Sequence, residues 1–194
     1  MNSSLTWTAA LSACQFPMRA LYLELPGDKP LVPWRKFWYS NKARPRAMFC
    51  TWMAFNNWLA TKDRVRRWNT TLDPTCFFCS QAETQQHLLF ECPYTHRRWL
   101  RLLRWLKISR SPLGWDAELQ LMCRRFTGKS WKSNLLKTAF AETVYAIWIE
   151  RNTVCFQQKP ANQHLEDKII DVLINRAWAD PRLRAHCTTL MLDW

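Results

Sequence analysis

Apolar residues recur at three- and four-residue spacing in several segments of this chain, the period of a helix with one inward face. From Pro45 to Leu59 the stripe is Met48, Phe49, Trp52, Met53 and Leu59, and Pro45 suits a first turn, where no N–H is needed. Thr61 is placed to cap a second helix over 62–69, with Asp63 in its first turn. That helix is predicted to turn Val65 and Trp68 inward and Lys62, Arg64, Arg66 and Arg67 outward. Pro93 starts a helix over about 93–108, with Trp99, Leu102, Leu103 and Leu106 on one face and Arg97, Arg101, Arg104 and Lys107 on a largely opposite one. A loop with Pro112 and Gly114 follows. Helices at about 132–157 and 164–178 carry the stripes Leu136, Phe140, Thr143, Val144, Ile147, Trp148 and Leu165, Ile169, Leu173, Trp178, both read as core. Upstream, Trp7 to Leu25 has room for a short helix and residues 34–39 for one helical turn. The predicted fold class is mainly α: an N-terminal segment at 1–30, a small helical domain at 31–110 and a C-terminal helical extension at 111–194.

Composition narrows this further. Three glycines in 194 residues argue against phosphate-cradling loops, dinucleotide folds and turn-rich β architectures. Thirteen tryptophans imply large, shape-specific packing and aromatic surface for a partner. The charge is uneven. Residues 31–110 hold 15 Lys and Arg against four acids, a net +11, whereas residues 111–194 hold 11 against nine. A basic patch of that kind points to a polyanion, with nucleic acid first.

Four residues in the basic region carry the candidate chemistry. Cys76, Cys79, His87 and Cys92 form a Cys-x2-Cys-x7-His-x4-Cys cluster, four donors of the kind that close a tetrahedron around Zn²⁺. His96 is a rival for the histidine place, because Cys76, Cys79, Cys92 and His96 have finger-like spacing. A finger's helix would start well before Cys92, whereas Pro93 predicts a start after it, which favours His87. Four protein ligands leave no position for water or substrate, so the expected metal is structural, not catalytic. Thr84 is placed to cap a short helix holding His87 to Phe90. Cys14, Cys50, Cys123, Cys155 and Cys187 are scattered and read as free, buried thiols acting as small hydrophobes. The first residues lack the basic and apolar regions of a secretory signal, and no apolar run of membrane-spanning length occurs. The expected location is therefore a reducing one, nuclear or cytoplasmic, not secreted and with no membrane partner.

With the ligands placed, the flanks become recognisable. Trp34 and Trp38, the Pro45-x3-Phe49-x2-Trp52 segment, Leu59-Ala60-Thr61-Lys62-Asp63-Arg64 through Trp68, Cys76-Phe77-Phe78-Cys79, Glu83-Thr84-Gln85-Gln86-His87-Leu88-Leu89-Phe90-Glu91-Cys92, Trp99 and the later Trp148-x-x-Arg151-Asn152 make up the pattern. The chain resembles the zinc-binding domain at the C-terminal end of reverse transcriptases of plant non-LTR (LINE-type) retrotransposons. The resemblance implies bound Zn²⁺, engagement of nucleic acid (RNA or DNA), and a polymerase domain as a further partner. No Tyr-x-Asp-Asp segment of the polymerase kind occurs, so no catalytic activity is expected of this chain. Glu166 and Asp167, neighbouring acids in a predicted amphipathic helix, read as surface residues.

Two functions follow as expectations. In the first, Lys62, Arg64, Arg66, Arg67, Arg97, Arg98, Arg101 and Arg104 neutralise phosphates, and Phe77 or Phe78 either stacks on bases or packs on the metal turn. In the second, the domain is a structural or protein-interaction module in which zinc is only a staple.

Overall fold

Ten consecutive side chains, Leu135 to Val144, are all buried, so the helix that carries them is enclosed on every side rather than amphipathic. This computed structural model describes residues 32, 34–124 and 130–191, with side chains to residue 186. The expected helix at Trp7–Leu25, the segment 1–30, Cys14 and the Cys187 side chain lie outside what is described. Residues 33–194 form one compact unit, and it is this unit that is described below. Its helices in chain order are α1 (Arg35–Trp38), α2 (Pro45–Phe55), α3 (Lys62–Val65), α4 (Pro93–Trp105), α5 (Trp115–Arg124), α6 (Trp131–Gln157), α7 (Leu165–Trp178) and α8 (Pro181–Met191). A wide turn at His87–Glu91 precedes α4. The described residues contain no strand, only an isolated antiparallel bridge between Thr75 and Ala82. None of the described helices is long and apolar enough to cross a membrane.

Local chemistry sets the helix ends. Pro45 and Pro93 occupy first-turn positions of α2 and α4. Ser130 caps α6, its side chain accepting from the Ser133 N–H at 3.2 Å. α2 stops where Asn57 turns left-handed (φ 54°) and the Trp58 N–H reaches back to the Met53 carbonyl at 2.8 Å. α4 stops the same way, at Lys107 (φ 57°), with Ile108 N–H on the Leu103 carbonyl at 2.9 Å. α3 is shorter than the expected 62–69. Its second half unwinds into turns in which Trp68 and Asn69 both donate to the Val65 carbonyl. α5 and α8 are not among the expected helices. α5 is fixed by Glu118, which accepts from the Leu113 N–H at 2.9 Å and pairs with Arg110 at 2.6 Å. Asp180 accepts from the Arg182 N–H at 2.9 Å at the start of α8.

α2 lies along α6 through its small side chains. Ala47, Cys50, Thr51 and Ala54 are its buried positions, whereas Phe49 is 59% exposed. Small residues let two helix backbones approach, so the large apolar side chains of α2 turn to its flanks. Burial pushes the Cys50 thiol up to about 12, as it does Cys123, to about 11. Cys155 is half-buried, not buried as expected.

Phe140 is the hub of the core. Its ring centroid lies 5.5 Å from Phe90, 5.7 Å from Phe37, 5.8 Å from Trp115 and 6.0 Å from Trp99. These four rings come from α1, the metal segment, α4 and α5, so one side chain of α6 gathers most of the chain. Polar side chains of α6 are matched from outside it. Lys137 donates to the Tyr39 carbonyl at 2.7 Å, and burial lowers its pKa. Glu142 accepts from the Arg44 N–H at 2.7 Å and from its guanidinium at 2.7 and 2.9 Å. Arg151 forks onto Glu83 of the metal segment at 2.7 Å, with both side chains buried.

Three expectations about burial are corrected here. Trp68 is 78% exposed, because the unwinding of α3 carries it off the face it was assigned. Trp178 is exposed as well, at the end of α7. Glu166 is buried, not superficial, because Arg98 at 3.0 Å and Arg101 from α4 both pair with it. Burial alone would push the Glu166 carboxyl up; its own backbone N–H, Arg101 and Arg98 outweigh that and hold it below its ordinary 4.5.

Two measurements check these pairs. Arg151→Met leaves a buried carboxylate uncompensated and should lower unfolding stability by about 3–5 kcal/mol in urea titrations; a loss within error would mean Glu83 needs no partner. The stability supplied by Glu166 is present above its ordinary pKa and lost as pH falls through the lower folded value. Glu166→Gln should therefore make the acid decline in Tm shallower than in the parent, and an unchanged acid limb would contradict the assignment.

Candidate metal centre

The metal segment is built from one tight turn and one strained one. In the first, the Cys76 N–H donates to the Gln81 carbonyl at 2.7 Å and the Glu83 N–H to the Pro74 carbonyl at 2.8 Å. This closes residues 74–83 on themselves and turns Cys76 and Cys79 to one side. The Phe78 N–H donates to the Cys76 Sγ at 3.4 Å, a contact that favours the thiolate.

In the second, Thr84 Oγ1 accepts from the His87 N–H at 3.1 Å and starts a helical turn. The turn does not continue as a helix. Leu89 leaves helical geometry and Phe90 adopts a φ of +80°. A bulky residue in that region costs about 1–3 kcal/mol and persists only where its surroundings hold it. Here they do: the Phe90 ring is fully buried against Trp99, Trp115 and Phe140. The strained residue widens the turn, and the Cys92 N–H closes it on the His87 carbonyl at 2.7 Å. His87 and Cys92 are thereby brought to the same point, five residues apart.

The donor atoms of Cys76, Cys79, His87 and Cys92 all lie within 4.8 Å of one another. Cys79 Sγ is 3.1 Å from His87 Nε2 and 3.8 Å from Cys92 Sγ. A tetrahedron with Zn–S bonds of about 2.3 Å has S–S edges of about 3.8 Å, so the donor set fits Zn²⁺ in both type and spacing. The Cys92 thiol beside it pulls the Cys76 thiol below its ordinary range, while the same contact pushes Cys92 up: neighbouring sulfurs compete for one proton, the place a divalent cation takes. His96 stands outside this set. Its Nδ1–H donates to the carbonyl of Phe90 at 3.1 Å, so it braces the strained turn.

The surroundings hold the segment from three sides. Glu83 accepts from the Lys62 N–H at 2.9 Å and its carbonyl from the Asp63 N–H at 3.2 Å, which caps α3 in place of Thr61, whose hydroxyl donates to Asp63 instead. Phe77 lies between Lys62, 3.9 Å from its centroid, and Arg151, 5.3 Å from it. Phe78 stacks on Tyr94 at 4.4 Å. Both phenylalanines are therefore half-buried and joined to side chains of the neighbouring helices.

The eight basic residues expected at a nucleic-acid surface divide three ways. Lys62 is 5% exposed, donating to the Thr75 carbonyl at 2.6 Å and pairing with Asp73 at 3.4 Å. Arg98 is 7% exposed and bound to Glu166 and Gln163. Both leave the phosphate-contact set, because their charges are already neutralised inside the fold. Arg101 is exposed but paired with Glu166, and Arg97 folds back to the Pro93 carbonyl. Arg64, Arg66, Arg67 and Arg104 are at least partly exposed, and among the described residues their side chains have no acidic partner. Sequence reasoning missed Arg151, Glu83 and His96 as the residues that position the centre; only the Trp-x-x-Arg-Asn segment carried a trace of the first.

Metal analysis of purified variants checks the ligand set. Cys92→Ser and His87→Ala should lose bound zinc, and His96→Ala should keep it at neutral pH. Zinc lost by His96→Ala and kept by His87→Ala would reverse the assignment.

Residues 16–99 match the family model described as zinc-binding in reverse transcriptase. No curated protein and no solved structure matches the chain. The matched residues contain all four donors, so the zinc-binding type that this family model describes and the Cys3His geometry agree on Zn²⁺ as the cofactor.

Proposed function

We propose that this domain is a nucleic-acid-binding module with no catalytic activity of its own, in which zinc holds cationic elements in place. The observation that carries this function is the set of exposed or half-exposed arginines, Arg64, Arg66, Arg67 and Arg104, that no acidic side chain among the described residues neutralises. Unpaired guanidinium groups on one region raise the local potential and attract phosphates, RNA or DNA alike. Three of the four acids in residues 31–110 are engaged elsewhere, Asp73 with Lys62, Glu83 with Arg151 and Asp63 with Thr61, and the fourth, Glu91, is exposed. The Leu59–Trp68 and Trp148–Asn152 segments support a finer origin, a plant LINE-type retrotransposon reverse transcriptase. Thiolate ligands suit a reducing compartment, nuclear or cytoplasmic.

A second function, docking of a protein such as a polymerase domain, is favoured by one feature. Pro45, Phe49, Met53, Tyr145, Trp148 and Ile149 line an apolar groove between α2 and α6. Concentration-dependent self-association without nucleic-acid affinity would select this function over the first.

Phosphate binding has a salt signature. Affinity for a single-stranded oligonucleotide should fall linearly in log–log form with salt, and the Arg64→Ala/Arg66→Ala/Arg67→Ala variant should flatten that slope by ~2, at ~0.7 per contact. Arg98→Ala should lower stability and leave the slope as it is. Binding that ignores salt would contradict the proposal.

A further inference from the structure

The stacking partners expected from sequence, Phe77 and Phe78, are occupied within the fold. A different aromatic is free. Trp68 is 78% exposed, the most exposed large apolar side chain among those described. Single exposed apolar residues are ordinary, so exposure alone carries nothing. Three further observations give it a direction.

Its backbone is ordered. The Arg67 N–H donates to the Arg64 carbonyl at 3.1 Å, and the Trp68 and Asn69 N–H groups both donate to the Val65 carbonyl at 3.0 Å. The ring is therefore held out from a closed turn anchored on α3, whose first N–H groups are held by Glu83 of the metal segment. Its neighbours are of one chemical kind. Residues 66–71, Arg-Arg-Trp-Asn-Thr-Thr, are all exposed, and no acid occurs between Arg64 and Leu72. Arg66 and Arg67 have no side-chain partner among the described residues. A protein-docking patch joins several apolar side chains into one area. The groove between α2 and α6 has that form; the turn at 66–71 has one aromatic ring among cations, amides and hydroxyls.

We infer that Trp68, with Arg66 and Arg67 beside it, is a base-stacking site for single-stranded nucleic acid. The inference rests on the phosphate-binding function above and adds the strand state. The guanidinium groups take the backbone phosphates, and the indole face takes an unpaired base, whose π-face a duplex keeps inside its own stack. Along the same turn the Thr71 hydroxyl donates to Asn69 Oδ1 at 2.7 Å, which leaves the Asn69 amide N–H groups and the Thr70 hydroxyl for outward contacts. The phosphates are shared by single and double strands, so only the ring discriminates between them.

The test uses the zinc-loaded full chain and three labelled probes: an oligothymidylate of about 20 nucleotides, its duplex with oligoadenylate, and an abasic strand of the same length. Trp68→Ala should bind oligothymidylate about tenfold more weakly than the parent, with duplex and abasic affinities and the salt slope unchanged. Trp68→Phe should retain most of the affinity. Arg66→Ala/Arg67→Ala should weaken all three probes together. If Trp68→Ala binds oligothymidylate like the parent, or loses all three probes equally, the stacking site is wrong while phosphate binding stands. If the parent binds none of them, both fall.

Discussion

Glu83 sits where three parts of the molecule meet, and its carboxylate is fully enclosed. A buried carboxylate without a cation is costly enough to unfold a small domain. Arg151 meets it from α6, the Lys62 N–H from the start of α3, and the Glu83 backbone lies inside the metal turn. The metal segment buries Leu88, Leu89 and Phe90 in the core at its C-terminal end, and this ion pair fixes its other end. The Arg151 guanidinium also lies over Phe77 and Trp148, so the same cation orders the aromatic flank of the metal turn. Zinc joins four donors within a span of seventeen residues, Cys76 to Cys92. Glu83 and Arg151 join that span to the remainder.

A second constraint acts at Phe90. The left-handed backbone there is what lets His87 and Cys92 share a metal, and core packing of the ring holds it. The energy that tolerates the strain comes from aromatic contacts with α4, α5 and α6, none of which carries a ligand other than the Cys92 that precedes α4. The geometry of the centre thus depends on a hydrophobic cluster built mostly outside the metal segment, and His96 satisfies the carbonyl that the strained residue exposes.

Charge is sorted by the same logic. Arg98 and Arg101 belong to a helix whose basic stripe reads, by periodicity, as one solvated face. Glu166 of α7 draws both toward it and leaves Arg104 outside. Lys62 is drawn under Phe77 and its neighbours Arg64, Arg66 and Arg67 are not. A stripe of like charge is therefore not one functional unit; what remains at its surface is what the interior has not neutralised.

The helical class, the bounds of α6 and α7 to within a residue, and the four donors were legible in the sequence. Period and spacing along one chain carry that information: helices follow their own hydrophobic repeat, and a Cys-x2-Cys turn is local chemistry. Other features depended on segments far apart. The small side chains of α2 face inward because α6 lies against them, and Trp68 is outside because α3 unwinds after one turn. α5 owes its start to Arg110 and Glu118, for which no periodic signal exists. Glu166 is buried because α4 brings two arginines to it, and His96 is a brace because Phe90 presents a carbonyl to it. Each of these turns on a partner distant along the chain or on a backbone angle that packing imposes. Pairwise electrostatics and side-chain packing are settled only once the tertiary structure has placed both members.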